Sequence, residues 1–374
     1  MLALALRRLG HDVQFIVDQS DKLDRPEYRY PEISLPYPDW IHDVSRVRFR
    51  HYAWPNLRRR NIVKILRSCD AVVLNQFGPT LLPLIGRPAL VLLTGSDLLF
   101  YASHAEQRIW QEGLLHKLTL HALVARQRRG IRMSNATSYF WKGINPEGDA
   151  LLDDLGIGDD RRFFLLMTDV DRIQPTPLPF NSLPRIFCVA RFVWKKPIRP
   201  GFTRQDYKGS DVMILGLGLF HRKTLMPLDI HLVRKGVDLD DIVKLVESEG
   251  LTRMVTWHDE MSQYEVLNQY RLADIVFDQM GEDSFVGMGG LDAMAMARPL
   301  IANGRPEYMS LSSDEPSPIC QAATPEEVCN QLERLTASRE ERQRVADAGR
   351  KYVQQFFSSD HSAQVCLDLF GRFV

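Results

Sequence analysis

Short apolar runs of strand length alternate with helix-length amphipathic segments along almost the whole chain, and this alternation constrains the fold more than any other feature. The runs fall at residues 13–17, 71–74 and 90–93 in the first half, and at 186–189, 230–233, 254–257, 275–277 and 300–302 in the second. Buried strands separated by helices predict an α/β chain with parallel sheets wrapped by helices. Between the halves, residues 169–184 hold Pro175, Pro177, Pro179 and Pro184. Proline fixes φ and removes a backbone donor, so this stretch disfavours helix and sheet and reads as a connector. The boundary is expected near residue 180, giving domains at 1–180 and 181–357 and a terminal helix at about 358–374.

A length of 374 residues suits two domains. Lys plus Arg and Asp plus Glu both total 47, so no global charge draws the protein to nucleic acid or membrane and any anion site must be local. The five cysteines show no C-x-x-C spacing, which argues against a disulfide framework or a zinc site and fits a reducing cytoplasm. The longest apolar runs stop well short of the ~18–20 residues that span a bilayer. At the start, apolar residues precede the charged Arg7-Arg8, the reverse of a secretory signal, and the segment reads as a helix stopped by Gly10-His11-Asp12.

The sharpest motif is Ala273-Asp274-Ile275-Val276-Phe277-Asp278-Gln279, followed by Ser284-Phe285-Val286-Gly287-Met288-Gly289-Gly290 and the helix opening Leu291-Asp292-Ala293-Met294-Ala295. A strand, a glycine-rich loop and a helix N-terminus together make an anion site, because glycines admit close backbone approach and first-turn N–H groups are unpaired. Asp292, read as part of that first turn, is a candidate for ribose hydroxyls. Taken alone, such a loop is as readily a simple turn with a helix cap. It is accompanied by Val189-Ala190-Arg191 at a strand end and Tyr207-Lys208-Gly209-Ser210-Asp211 at a helix start. These supply fixed positive charge where a departing diphosphate would gather negative charge.

On these residues the second half resembles the donor domain of glycosyltransferase family 4, retaining enzymes of GT-B fold. Arg191 and Lys208-Gly209 match the family's diphosphate-binding arginine and lysine, and residues 291–295 match its Leu-Glu-Ala-Met-Ala. Ala297-Arg298-Pro299-Leu300-Ile301-Ala302 stand where the family has a glycine and proline before a strand. The family's pair of glutamates becomes Ser284 and Asp292, so the acid used on the donor sugar is replaced by a hydroxyl. The first half resembles the acceptor domain through Leu92-Leu93-Thr94-Gly95-Ser96-Asp97, with Thr94 in a histidine position. Asp97 is equally a candidate to orient sugar or acceptor and a helix N-cap. Relatives open with a strand and glycine loop before the helix ending Gly-His-Asp-Val, so either the start lies upstream of Met1 or the first strand is absent.

The resemblance implies two Rossmann-like domains facing a cleft, the first lacking its first strand, with the final helix returning to the first domain. It implies a retaining transfer from a nucleotide-diphosphate sugar, with polysaccharide, lipid-linked glycan and small-molecule acceptors all open. Arg191 and Lys208 would stabilise the diphosphate, residues 287–289 (Gly287, Met288, Gly289) would offer N–H groups, Asp292 would hold the ribose and Ser284 would face the sugar. Trp257 and His258 fall where relatives hold the base, although a surface-loop histidine is as ready a reading. No cofactor or metal is expected; Asp169-Val170-Asp171 imitates a metal-binding triplet of an unrelated fold and is discounted. The clusters Arg58-Arg59-Arg60 and Arg126-Gln127-Arg128-Arg129 are candidates for a peripheral membrane surface or an acidic acceptor, against the ordinary reading as solvated helix faces. They lack the aromatic interleaving of a nucleic-acid groove. The rival function is a catalytically inactive GT-B nucleotide-sugar-binding or scaffold protein.

Overall fold

The computed structural model describes residues 1–18, 25–30, 32–44, 47–103, 113–195, 206–282, 285–309 and 315–373. The chain forms two compact units, one of residues 2–165 with 362–374 and one of residues 166–361. Both are built on parallel strands.

The first unit holds β1 (Phe15–Val17), β2 (Ile41–Asp43), β3 (Val72–Asn75), β4 (Ala89–Leu92), β5 (Ala136–Ser138) and β6 (Arg162–Phe163). β1 and β2 pair only with each other, while the rest run in the order β3-β4-β5-β6. Among the described residues the parallel strands of this unit thus fall in two separate sheets. Ala89, Leu90 and Val91 are fully buried, the continuous apolar character of a strand covered on both faces. Val91 belongs to the core with Leu74, Leu123 and Ile131. On the other face Leu90 and Ala136 meet Cys366, Leu369 and Phe370 of the terminal helix Ser359–Phe370. That helix therefore completes the core of the unit that opens the chain.

The second unit holds β7 (Arg185–Cys188), β8 (Asp229–Val233), β9 (Val255–His258), β10 (Ile275–Phe277), β11 (Leu300–Ala302) and β12 (Cys320–Gln321). Their order is β12-β11-β10-β7-β8-β9. From β7 the chain winds outward through β8 to β9, then returns to β10 on the other side of β7 and winds outward again. The direction reverses between β7 and β10, and in open parallel sheets ligands bind outside the carboxyl ends of the strands at such a switch point. Ile186, Ile230, Leu232, Ile275 and Ile301 are fully buried in one core, each worth roughly 1.5–3 kcal/mol of transfer free energy.

The proline-rich segment belongs to this second unit because arginines hold it there. Buried carbonyls require donors; Pro184 O accepts from Asp229 N–H at the start of β8, and several other carbonyls of the segment take theirs from side chains. Arg298 donates to Thr176 O (2.8 Å), Arg339 to Leu178 O (2.6 Å), and Arg350 to Val170 O (2.9 Å) and Ile173 O (2.6 Å). Arg298 is wholly buried and also donates to Tyr270 O (2.7 Å) and Arg271 O (3.0 Å). No described helix is long and apolar enough to cross a membrane.

Candidate functional site

Two loops meet at the switch point. After β7 the chain runs through Arg191, whose guanidinium is exposed and ion-paired with Asp206. Lys208 N–H then donates to Val193 O (2.7 Å), and Lys208 O accepts from Met280 N–H (2.8 Å), which ties this loop to the one leaving β10. Gly209 is left-handed at φ +63, and a Cβ on it would lie 2.5 Å from Gly281 N, so both conformation and space call for glycine. The Lys208 ammonium donates to Gln279 Oε1 at 2.8 Å. Burial, then the nearby Arg191 charge, push its pKa down to about 8. The structure thus brings Arg191 and Lys208 near one another at the strand ends.

The glycine-rich loop is held from beneath by a carboxylate. Asp278, at the end of β10, accepts the Gly287 N–H at 2.6 Å, and burial raises its pKa. A Cβ on Gly287 would meet Gln279 Nε2 at 2.5 Å. The helix Met288–Ala295 starts here with Gly287 as N-cap. The N–H of Gly287 is therefore not offered outward. Those of Met288 and Gly289 make no hydrogen bond among the described residues, leaving two unpaired first-turn donors of the kind that suit an anion. The buried Tyr270 hydroxyl donates to Gly289 O at 2.9 Å and fixes that turn.

Asp292 lies in the second turn of this helix, not the first, because the helix begins four residues earlier. Its carboxylate is buried and accepts from the Thr168 hydroxyl and from Gln263 Nε2 at 3.1 Å. A ribose reaching Asp292 would replace the Gln263 amide. Ser284 lies outside the described residues.

Trp257 and His258 close β9. The Trp257 ring meets Phe192 edge-on at 5.9 Å and carries Arg234 over its face at 5.4 Å. His258 Nε2 lies 2.7 Å from Nδ1 of the buried His231, whose own Nε2 is 2.9 Å from Asp229 Oδ1. The carboxylate can only accept, so His231 carries its proton on Nε2 and accepts at Nδ1 from His258. His258 Nδ1 is left as an acceptor at the sheet's carboxyl end. Burial, then His231 and Arg185, lower the His258 pKa, keeping the ring neutral.

In the first unit, Asp97 is 2% exposed. It accepts from the backbone N–H of Thr94 (2.9 Å), Gly95 (3.0 Å) and Leu98 (3.1 Å), so it staples the loop after β4; the N-cap of the short helix Ser96–Leu99 is Gly95. Burial raises its pKa to about 6. Among the described residues no three His, Cys, Asp or Glu side chains gather as a metal-ligand set.

In the sequence Asp278 and Gln279 carry no evident role, and His231, Gln263 and Thr168 do not stand out. Only the Asp278-Gln279 pair at a strand end carried a signal, two polar residues following a fully apolar run.

No family model matches the chain, and no curated protein matches it. Solved structures do. Sucrose-phosphate synthase from Thermosynechococcus elongatus superposes with a TM-score of 0.61 at 15% identity, covering 100% of this chain and 91% of that one. HepE from Anabaena, in complex with UDP, gives 0.61 at 13% identity over 97% of this chain and 100% of its own. A glycosyltransferase from Rickettsia africae gives 0.61 at 14% identity over 99% and 92%. The chain therefore shares the fold of these GT-B glycosyltransferases, with two Rossmann-like α/β units in parallel-sheet layers.

Proposed function

We propose that this protein is a glycosyltransferase that takes a sugar from a nucleotide-diphosphate donor and transfers it with retention of configuration. The observation that carries the reading is the meeting of Arg191, Lys208 and the free first turn at Met288 and Gly289 at the switch point of the second unit. Two fixed cations and two aligned N–H groups suit a diphosphate, in which negative charge grows as the sugar departs. Positive charge supplied by side chains takes the place of a metal. The leaving phosphate, on the same face as the incoming hydroxyl, helps to remove its proton, so no side-chain nucleophile is called for.

Trp257 and His258 line the base end, where the bare Nδ1 of His258 suits an N–H of the base. Asp292 faces the ribose once Gln263 gives way. Asp97 shapes the acceptor-side loop that it staples. HepE was solved with UDP and with UDP-glucose, so uridine nucleotides head the panel to be tested. The acceptor is a glycan, a lipid-linked glycan or a small molecule, and the setting is the cytoplasm.

A second reading has one observation in its favour. Lys208, Arg191, Gly287 and Asp292 are each engaged by protein groups, as in a site that binds without turnover. Thermal shift against UDP, GDP, ADP and their sugars, followed by product analysis, separates the two. Stabilisation by one series with sugar release or transfer, both lost in Lys208→Ala, supports the enzyme. Stabilisation without turnover for any acceptor class supports the binding protein, and no stabilisation defeats both.

A further inference from the structure

The first unit carries a second cationic feature, remote in sequence from the switch-point residues and built differently. The helix Leu57–Arg67 has five basic residues and no acidic one in a chain of zero net charge. Between it and the short helix Leu82–Ile85 lies a cavity of about 470 Å³. Its wall is apolar at Leu57, Val63 and Leu84 and cationic at Arg59, Arg60 and Arg67, and none of the described lining residues is acidic.

Arg59 is the unusual member. It is 7% exposed, and its Nη1 has no hydrogen-bond partner among the described residues. Arg126, from the helix Leu114–Met133, adds a second like charge close by that lowers its pKa further after burial has done so. A buried guanidinium beside another, with no carboxylate in the described lining, is costly unless an anion completes it. Arg67 is spoken for, donating to Leu84 O at 2.7 Å.

The cavity's own Leu57 is 76% exposed, and its chain neighbour Trp54, next to the lining residue Pro55, is 45% exposed; on the helix Leu114–Met133, Leu115 is 77% and Leu118 51% exposed. Trp54 Nε1 donates to Thr119 Oγ1 at 3.2 Å, so the indole stands against the first turns of the helix Leu114–Met133 that present the two leucines. Exposed leucines and a tryptophan beside arginines are the composition of a surface that rests in the headgroup layer of an anionic bilayer.

We propose that this face docks on anionic phospholipid, with one headgroup phosphate entering the cavity to pair with Arg59 and Arg60 while Leu57 and Trp54 enter the interface. The phosphate supplies the missing anion, and the apolar wall receives the glycerol end of the lipid. The proposal stands apart from nucleotide-sugar transfer, since it involves none of the switch-point residues. It would bring the acceptor-side unit to a membrane.

The test is sedimentation of the full chain with phosphatidylcholine vesicles, with and without phosphatidylglycerol, at low and high salt. The protein is expected to bind only the anionic vesicles. Binding should weaken roughly fivefold for each charge removed, hence about 25-fold in Arg59→Gln/Arg60→Gln. The salt-induced loss should be smaller in that variant, and nucleotide-induced stabilisation should be unchanged. If the double variant does not fold by circular dichroism, Leu57→Asp, at an exposed position, decides, and it is expected to abolish sedimentation. Equal binding to neutral vesicles, undiminished binding by either folded variant, or Arg59-dependent binding of inorganic phosphate without vesicle binding would each overturn it.

Discussion

Lys208 should make nucleotide binding pH-dependent between about pH 7 and 9. Its ammonium is flanked by Arg191 and half-buried against Gln279, and its pKa falls from 10.5 to about 8. At pH 7 roughly nine-tenths of the free protein then carries the charge, and at pH 9 roughly one-tenth. If the diphosphate binds the charged form, the apparent Kd should rise about tenfold between these values. The sign follows from linkage: the ligand anion raises the lysine pKa, binding takes up a proton above pH 8, and affinity falls as pH rises. Isothermal titration with UDP at both pH values measures the effect, and the heat in two buffers reports the proton. Lys208→Ala should bind about 10–100-fold more weakly at pH 7, the worth of one charge-assisted hydrogen bond, and lose the pH dependence. A wild-type Kd flat from pH 7 to 9, or a slope that survives in Lys208→Ala, would refute the reasoning.

Three stability predictions accompany it. Arg298→Met removes the donor shared by Thr176 O, Tyr270 O and Arg271 O, and should cost about 3–5 kcal/mol in urea unfolding; a cost under ~1 kcal/mol would mean that water takes over those carbonyls. Asp97, raised from 3.8 to about 6, holds its proton more tightly in the folded state, so its share of stability is complete below pH 4 and lost as pH rises through 6. The loss is about 3 kcal/mol, and Asp97→Asn should flatten the stability profile over that window; an unchanged profile would show that the carboxyl ionises freely. Gly209→Ala should destabilise by about 2 kcal/mol or more, from the left-handed backbone and the contact with Gly281, and should blunt nucleotide-induced stabilisation; a neutral substitution would contradict the loop geometry.

The α/β character and most strand positions are legible in the sequence because buried parallel strands leave continuous apolar runs, as at Leu90 and Ile186. β5 is not, since Ala136-Thr137-Ser138 has no apolar run. It is buried because β4 and β6 flank it, a condition set by topology and not by its own residues. Arg191 and Lys208 stand out through their positions at a strand end and a helix start. Their partners do not, because Gln279 lies 71 residues from Lys208 and meets it only when β7 and β10 become neighbours. Arg298 occupies a turn position where a surface charge would be the ordinary reading. Nothing local shows that its donors serve a proline-rich segment 122 residues away. Asp292 lies a turn deeper in the helix than the sequence suggests, because the helix starts at the glycines, where Asp278 takes up the Gly287 N–H.

The most direct test of the central claim is hydrogen–deuterium exchange on the full chain with and without the nucleotide that stabilises it best. Binding at the switch point predicts slower exchange in the peptides covering Met288-Gly289 and Lys208-Gly209, with both protections lost in Lys208→Ala. Protection elsewhere with these two loops unchanged would contradict a diphosphate site at the carboxyl ends of β7 and β10.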